Sequence, residues 1–317
     1  MYPLRQSPAM TRPPPPEHLP TRDGTRPSCV ALPAGPWERL VDFLVARFGH
    51  VPGPSWHQRM AHGDVLGAGG EALDPATPYQ AGSRVYYFRA VPPEPEIPFG
   101  APVLFEDEHI LVADKPHFLP VVPSGRHLHQ TLLMRLRRER NEPDLVPLHR
   151  IDRDTAGLVL FSRQSQSRGA YVALFREQRV HKSYGALAPW RADLAWPLER
   201  ATRLEPGAHR MQMQEVPGAP NAFTRIECEE QRGGWARYRL TPRTGKRHQL
   251  RVQMASLGLP LLHDAIYPVL QPELPAGSLP DLSRPLGLLA RQLVFIDPVT
   301  GQSREFMSAR TLTWPIA

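Results

Sequence analysis

The chain has 317 residues, and its 38 Lys plus Arg exceed its 31 Asp plus Glu, which gives a formal net charge of +7. This length fits one large domain or a catalytic domain with a small companion, and the basic charge is compatible with a polyanionic partner. Two cysteines are too few for a disulfide framework, a zinc cluster or an iron–sulfur site. No stretch approaches the about 18 consecutive apolar residues of a membrane helix, and the N-terminus lacks the apolar core of a secretory signal, so a cytoplasmic protein without membrane contact is expected.

The 38 prolines cluster at places that divide the chain into four predicted parts. Residues 1–36 include the run PPPP and show little apolar periodicity, so they are predicted to form an extended arm. Residues 37–90 are predicted to form a small α+β domain. The proline-rich stretch 91–98 is typical of a linker, and residues 99–317 are predicted to form one strand-rich α+β domain.

Hydrophobic periodicity predicts the helices and strands of both domains. The predicted helices cover 37–48, 55–60, 128–140, 165–175 and 248–257. Ser55 and Ser165 are the expected N-caps of the second and fourth helices. The predicted strands cover 64–66, 84–88, 103–106, 109–114, 156–163, 182–188, 235–241 and 289–296.

Three segments hold the polar residues best suited to chemistry. They are HRIDRDTAGL at 149–158, KSYGA at 182–186 and RTGKRHQLR at 243–251. The first places Asp152 between two arginines in a polar corner just before an apolar strand. A carboxylate with an unperturbed pKa of about 3.9 is ionised at neutral pH, and a cationic partner keeps it ionised after desolvation, as a carboxylate nucleophile requires. The same pattern also fits an acidic turn residue that pairs with surface arginines.

Two further patterns are assigned to structure rather than to ligand binding. The stretch GAGGEA at 67–72 fits a dinucleotide-binding fingerprint, but Pro75 and Pro78 exclude the helix that such a site needs, so a hairpin turn is predicted. His127 and His129 would share one face of a strand. They lack acidic or thiol neighbours, so no metal site is predicted.

The string HRIDRDTAGL resembles the H-R-L-D-x-x-T-S-G-L signature of the RluA-type RNA pseudouridine synthases. Other blocks resemble that family in the same order: VLFEDEHILVADKP its strand-turn-strand ending in Lys-Pro, KSYGA its K-x-Y-x-A, RTGKRHQLR its R-T-G-R-x-H-Q-L-R, and GLPLLHDAIY its G-x-P-I-x-G-D-x-x-Y. The resemblance runs from about residue 98 to near the C-terminus. The chain departs from the family pattern at Ile151, Ala156, Lys246 and His263, where the family usually has Leu, Ser, Arg and Gly.

The resemblance implies an α+β pseudouridine synthase fold, with a mixed, mainly antiparallel sheet and a central cleft. It implies an isomerase that acts on a uridine of structured RNA, ribosomal or transfer, without a cofactor and as a monomer. In this reaction the bond between uridine N1 and C1′ breaks, the base turns, and a bond to C5 forms. Asp152 would start the reaction by attacking C1′ or by removing a proton from C2′, and the sequence does not choose between these routes.

The resemblance also implies roles for other residues. Tyr184 would stack on the target base and assist proton transfer at C5, and Arg251 would pair with Asp152 through its guanidinium fork. Arg150 would fill the space that the extruded uridine leaves. The expected contacts to RNA phosphates are Arg243, Lys246 and Arg247. The residues alone leave three alternatives open: a core tyrosine at 184, an ion pair between residues 150 and 154, and an ordinary solvated start of a basic helix.

Residues 37–90 resemble in outline the ribosomal S-four-type RNA-binding domain that precedes the catalytic domain in many members of the family. The start of the second helix departs from that pattern, so a degenerate domain that only packs on the catalytic domain is the alternative. The basic helix face at 135–140 would contact RNA or be an ordinary exposed surface. Two other functions stay open: an RNA-binding chaperone, and a glycosidase or nucleosidase with Asp154 as its second carboxylate.

Overall fold

The computed structural model describes residues 16, 18–20, 22, 26–49, 51–88, 94–125, 127–275 and 277–315. The chain divides into two compact units, one up to residue 91 and one from residue 92 onward. Much of the predicted arm and the first residues of the predicted linker lie outside the described residues.

The first unit combines a three-stranded antiparallel sheet with two helices. Its elements are β1 (Ser28–Ala31), α1 (Leu40–Arg47), α2 (Gly53–Ala61), β2 (Val65–Leu66) and β3 (Arg84–Tyr87), and the strand order is β1-β3-β2. The strand β1 lies within the predicted arm, so the sheet begins earlier in the chain than the sequence pattern indicated. The predicted cap of α2 is wrong, because the helix begins after Pro52 with a second proline in its first turn and no side-chain cap.

The second unit is built on an 11-stranded sheet with three helices. Its strands are β4 (Val103–Glu106), β5 (Ile110–Lys115), β6 (Val146–Pro147), β7 (Ala156–Ser162), β8 (His181–Pro189), β9 (Leu198–Pro206), β10 (Met213–Val216), β11 (Ala222–Arg232), β12 (Trp235–Pro242), β13 (Leu288–Ile296) and β14 (Ser303–Met307). Its helices are α3 (Leu132–Arg140), α4 (Ser165–Arg176) and α5 (Gln249–Ser256). The strand order is β10-β9-β11-β12-β8-β13-β7-β5-β4, with β14 on β13 and β6 on β7.

Nearly every strand pair of this sheet is antiparallel, which confirms the predicted mixed, mainly antiparallel α+β fold. The parallel pair among the described strands is β7 with β13. Strands β5 and β7 are fully buried, and their apolar side chains divide between two hydrophobic clusters. Strands β9, β10, β11 and β14 were not predicted, because charged side chains interrupt their apolar alternation. The predicted serine cap of α4 is also wrong, since Gln164 precedes the helix and makes no capping hydrogen bond.

The basic face of α3 serves the structure rather than forming an open cationic surface. Arg135 is only 9% exposed and donates hydrogen bonds to the carbonyl oxygens of Ile97 and Phe99. Arg140 pairs with Glu106 and Glu142. These contacts attach α3 to the segment before β4 and to the loop that follows the helix, so the face is not a single patch available to RNA.

Gly157 allows β7 to approach β13 closely. Its φ is +110°, a conformation that favours glycine, and a Cβ there would lie 2.2 Å from the carbonyl oxygen of Ala290. We expect Gly157→Ala to lower the free energy of unfolding by about 3 kcal/mol or more, because overpacking and backbone strain add. Urea denaturation measures this loss. Gly169→Ala is the matched control: no atom surrounds that position in α4, so the free energy should stay the same or rise slightly. Equal stability of the two variants would contradict the argument.

Candidate active site

Asp152 lies in the loop between β6 and β7, opposite the start of α5. Its side chain is 29% exposed, and its Oδ2 lies 3.4 Å from Nη1 of Arg251. Its Oδ1 lies 3.8 Å from Nε2 of His248. Arg251 is 99 positions further along the chain, so the fold brings together two of the predicted segments. The expected pairing of Asp152 with Arg251 is present as a single long contact.

The guanidinium fork of Arg251 binds a different carboxylate, that of Asp264. Nε and Nη2 of Arg251 lie 2.9 Å and 2.6 Å from the two carboxylate oxygens of Asp264, and both side chains are buried. Asp264 also accepts hydrogen bonds from the backbone N–H groups of Ile266 and Tyr267. Burial opposes the charge of Arg251, but the hydrogen bonds and charge of Asp264 outweigh it and raise the pKa of the guanidinium. Asp264 lies in the segment GLPLLHDAIY, which resembles the family, but the sequence predicted no role for it. In the structure it is the residue that orients Arg251.

Lys115 is a buried residue that holds the Asp152 loop through a hydrogen bond to its backbone. Its side chain is fully buried at the end of β5, and Nζ donates to the carbonyl oxygens of Pro116, Leu119 and Arg153 at 2.8–2.9 Å. Burial lowers the pKa of Lys115 to about 7, against the attraction of Asp154 and Asp152. Sequence reasoning missed this residue, although the Lys-Pro pair at the end of a predicted strand was its signal.

Asp154 forms an ion pair with its neighbour Arg153. Nε of Arg153 lies 2.9 Å from Oδ1 of Asp154, so the alternative ion pair between Arg150 and Asp154 is wrong. Burial acts to raise the pKa of Asp154, but the charge and hydrogen bonds of Arg153 outweigh it and lower that pKa. His117 contacts the carbonyl oxygen of Asp154 at 2.7 Å. Asp154 is therefore an ionised residue of the scaffold.

Tyr184 lies in β8, between Leu240 of β12 and Ala290 of β13. Its ring is partly buried against the apolar cluster beneath this part of the sheet. Burial and the negative charge of Asp152 raise the pKa of its hydroxyl above the ordinary value. Tyr184 is thus a neutral phenol whose hydroxyl interacts electrostatically with Asp152.

The predicted RNA-contacting residues differ in their partners. Arg150, Arg243 and Lys246 are exposed, and no side chain or backbone group among the described residues forms a hydrogen bond or ion pair with their charged ends. Arg247 instead donates to the carbonyl oxygens of Arg210 and Met211, in the turn between β9 and β10. Its exposed guanidinium therefore holds this turn against the start of α5.

The loop before α5 rests on the buried amide of Gln249. The amide oxygen accepts from the hydroxyl of Thr244 and the N–H of Lys246, and the amide nitrogen donates to the carbonyl of Phe223 and the hydroxyl of Thr224. All four hydrogen-bonding positions of the amide are therefore used, so the loop has one defined position. Sequence reasoning gave Gln249 no role.

His149 belongs to the scaffold as a hydrogen-bonded residue. Its Nε2 accepts from the backbone N–H of Leu160 at 3.0 Å, and its ring stacks on Phe175 at a centroid distance of 4.7 Å. Burial, together with the positive charge of Lys182, lowers the pKa of His149 to about 3. Protonation of Nε2 would break the hydrogen bond to Leu160.

Acid is expected to destabilise the protein through His149. Its folded pKa of about 3 lies below the ordinary value of 6.5, so the unfolded state binds more protons between these values. The contribution of neutral His149 to the free energy of unfolding is therefore fully present above pH 6.5 and is lost as the pH drops toward 3. We expect a loss of about 2 kcal/mol between pH 6.5 and pH 5, measured by urea denaturation. His149→Gln should reduce this pH dependence, whereas the exposed control His181→Gln should leave it unchanged. An undiminished dependence in His149→Gln would contradict the assignment.

Neither a metal centre nor a membrane segment is found in the part of the chain that the structure describes. No three His, Cys, Asp or Glu side chains there gather into a group that could hold a metal ion. No helix among those residues is long and apolar enough to cross a membrane.

Comparisons with known proteins identify the family and agree with the fold. The family model described as RNA pseudouridylate synthase matches residues 109–256. A Synechocystis protein named as an uncharacterized RNA pseudouridine synthase is 32% identical over 234 residues, which cover 72% of this chain and 79% of the relative. Ribosomal large subunit pseudouridine synthase D of Vibrio vulnificus is 30% identical over 217 residues, covering 64% of this chain and 65% of the relative. The solved structure of human RNA pseudouridylate synthase domain containing 1 shares the fold, with a TM-score of 0.53 at 21% identity over 68% of this chain and 86% of that one.

Proposed function

The chain belongs to the RluA-type RNA pseudouridine synthase family, whose members are RNA isomerases, and from this premise we propose that it converts one specific uridine of a structured ribosomal or transfer RNA into pseudouridine. The observation that carries the proposal is the contact between Asp152 and the buried Arg251. The reaction neither oxidises nor hydrolyses its substrate, so it needs no cofactor. The enzyme acts as a monomer in the cytoplasm, where these RNAs are available.

Asp152 starts the reaction in this proposal. Its carboxylate is partly exposed to the substrate, while Arg251, held by Asp264, stabilises its negative charge from the protein side. It attacks C1′ of the uridine or removes a proton from C2′, so that the bond to N1 breaks and the uracil is freed to turn. Tyr184 supports the flipped base with its ring, and Arg150 occupies the gap in the RNA stack.

The exposed cations at the site contact RNA phosphates in this proposal. Arg243 and Lys246 have no protein partner among the described residues, unlike the exposed Arg225, which pairs with Glu199 and Glu227. We expect Arg243→Ala and Lys246→Ala each to reduce the slope of log affinity against log salt by about 0.7–0.9. Filter binding at several salt concentrations measures the slope. Arg225→Ala is the matched control and should not change it, and an equal effect at all three positions would contradict the assignment.

The function itself is tested by mapping pseudouridines in the RNA of a deletion strain. We expect one site to lose its modification, and the purified protein to restore it on RNA from that strain. Ribosomal RNA of the large subunit is the first substrate to examine, since the name of the Vibrio vulnificus relative refers to it. An unchanged pseudouridine map, together with no activity on total RNA, would overturn the proposal.

The open alternatives receive unequal support. A glycosidase or nucleosidase needs a second carboxyl group that can donate a proton, and Asp154 is unsuited to this because Arg153 keeps it ionised. An RNA chaperone needs only the exposed cations, Arg150 among them. Its distinguishing result is RNA refolding activity that survives the loss of isomerisation.

A further inference from the structure

His248 stands between the proposed catalytic carboxylate and a buried tyrosine. Its Nε2 lies 3.8 Å from Oδ1 of Asp152, and its Nδ1 lies 2.9 Å from the hydroxyl oxygen of Tyr267. The imidazole is 8% exposed and meets the tyrosine ring edge to face, at a centroid distance of 5.6 Å. Its backbone has a φ of +53°, which is uncommon for a residue other than glycine. The ring is thus held in one place by its contacts on both sides.

The hydroxyl of Tyr267 has only one proton to give. The backbone N–H of Met213, in β10, points at the hydroxyl oxygen at 2.7 Å, and an N–H group can only donate. Tyr267 is buried, so its own proton needs an acceptor within the protein. The ring nitrogen Nδ1 of His248 is the acceptor in hydrogen-bonding distance.

These two hydrogen bonds of Tyr267 determine the tautomer of His248. We infer that Met213, acting through Tyr267, holds His248 with its proton on Nε2, and that this N–H is a second donor, beside Arg251, that orients the carboxylate of Asp152. The opposite tautomer would place the Nε2 lone pair against a carboxylate oxygen and would leave the tyrosine proton without an acceptor. His248 is a positioning residue in this scheme, since it acts on the substrate through Asp152.

The charge state of the ring agrees with this role. Burial lowers the pKa of His248 to about 4, although the charge of Asp152 acts in the opposite direction. The ring is neutral near pH 7, so its N–H can donate to the carboxylate without neutralising it. The distance of 3.8 Å is longer than a hydrogen bond, and catalytic contacts of this kind shorten when the substrate binds.

Long-range ¹H–¹⁵N correlation spectra of the full-length protein test the inference directly, because they distinguish the two neutral tautomers of histidine. We expect His248, assigned by comparison with His248→Gln, to carry its proton on Nε2. Tyr267→Phe should abolish this preference, because Nδ1 loses its donor. Tyr238→Phe is the matched control: its hydroxyl donates to the carbonyl of Pro189 at 2.9 Å, outside this chain of contacts, and its loss should leave the spectrum of His248 unchanged.

The kinetic arm rests on the proposed function. Tyr267→Phe should lower kcat for pseudouridine formation by about tenfold to a hundredfold with little change in KM, because Asp152 is misoriented while RNA binding is intact. Tyr238→Phe should retain the kcat of the wild-type protein. A proton on Nδ1 in the wild-type protein, or a Tyr267→Phe variant that keeps both the tautomer and kcat, would overturn the inference. If no RNA is modified at all, the proposed function fails, but the spectra still decide the tautomer.

Discussion

Asp152→Asn is expected to lower the rate of pseudouridine formation by about a thousandfold or more, while the affinity for RNA stays within about twofold of the wild-type value. Asparagine has nearly the same shape, and its carbonyl oxygen still accepts from Arg251, so the loop should keep its position. The amide is uncharged and can neither attack C1′ nor take a proton from C2′. Quantifying pseudouridine by mass spectrometry after nuclease digestion measures the rate, and filter binding measures the affinity.

Asp144→Asn is the control for this substitution. Asp144 is exposed, lies in the loop between α3 and β6, and forms no side-chain ion pair with a described residue. The activity of the Asp144→Asn variant should therefore equal that of the wild-type protein. Full modification of RNA by Asp152→Asn would remove the carboxylate from the mechanism. Lost isomerisation with retained refolding of RNA would instead show that a chaperone activity exists beside the chemistry.

Asp264→Ala is expected to lower the free energy of unfolding by about 3–5 kcal/mol. The substitution leaves the guanidinium of Arg251 buried without its principal partner, and two backbone N–H groups lose their acceptor. Breaking a buried ion pair from one side costs this much because the remaining charge is desolvated and unpaired. Urea or thermal denaturation measures the loss, and the remaining folded protein should also be impaired in catalysis because Arg251 loses its orientation.

An exposed ion pair provides the comparison. Arg191 pairs with Asp193, whose side chain is 63% exposed, so Asp193→Ala should lower the free energy of unfolding far less than Asp264→Ala does. If Asp264→Ala were as stable as Asp193→Ala, the ion pair between Asp264 and Arg251 would not hold the site together. The difference between the two variants therefore measures the combined effect of burying the pair and of the two backbone hydrogen bonds to Asp264.

The strands that were missed show where sequence reasoning fails in this fold. In β9 and β11, charged residues stand where an apolar alternation would indicate a strand, for example Glu199 and Arg225. The two are directly opposite each other in the sheet and form a cross-strand ion pair. This stabilisation depends on the register between two strands, and periodicity within one segment does not contain that information.

Three arginines also show what a single segment cannot reveal. Arg135, Arg247 and Arg251 have the same side chain, and the sequence predicts the role of each only from the residues next to it in the chain. In the fold, Arg135 binds backbone carbonyls before β4, Arg247 binds a turn between β9 and β10, and Arg251 binds Asp264. The partner of a long side chain is set by which segment lies within its reach.

By itself, the sequence determined the family and the α+β class with most of the core strands, and it supplied the residues that are proposed to carry the chemistry. These properties follow from ordered motifs and from apolar patterns within short segments, because side-chain alternation and local hydrogen bonding act over a few residues. Only the tertiary structure decided that Asp264 rather than Asp152 binds the fork of Arg251, that Lys115 is buried against the loop that holds Asp152, and that Tyr267 faces His248. These contacts join segments far apart in the chain, and burial, which makes each charge dependent on its partner, exists only once those segments have packed together.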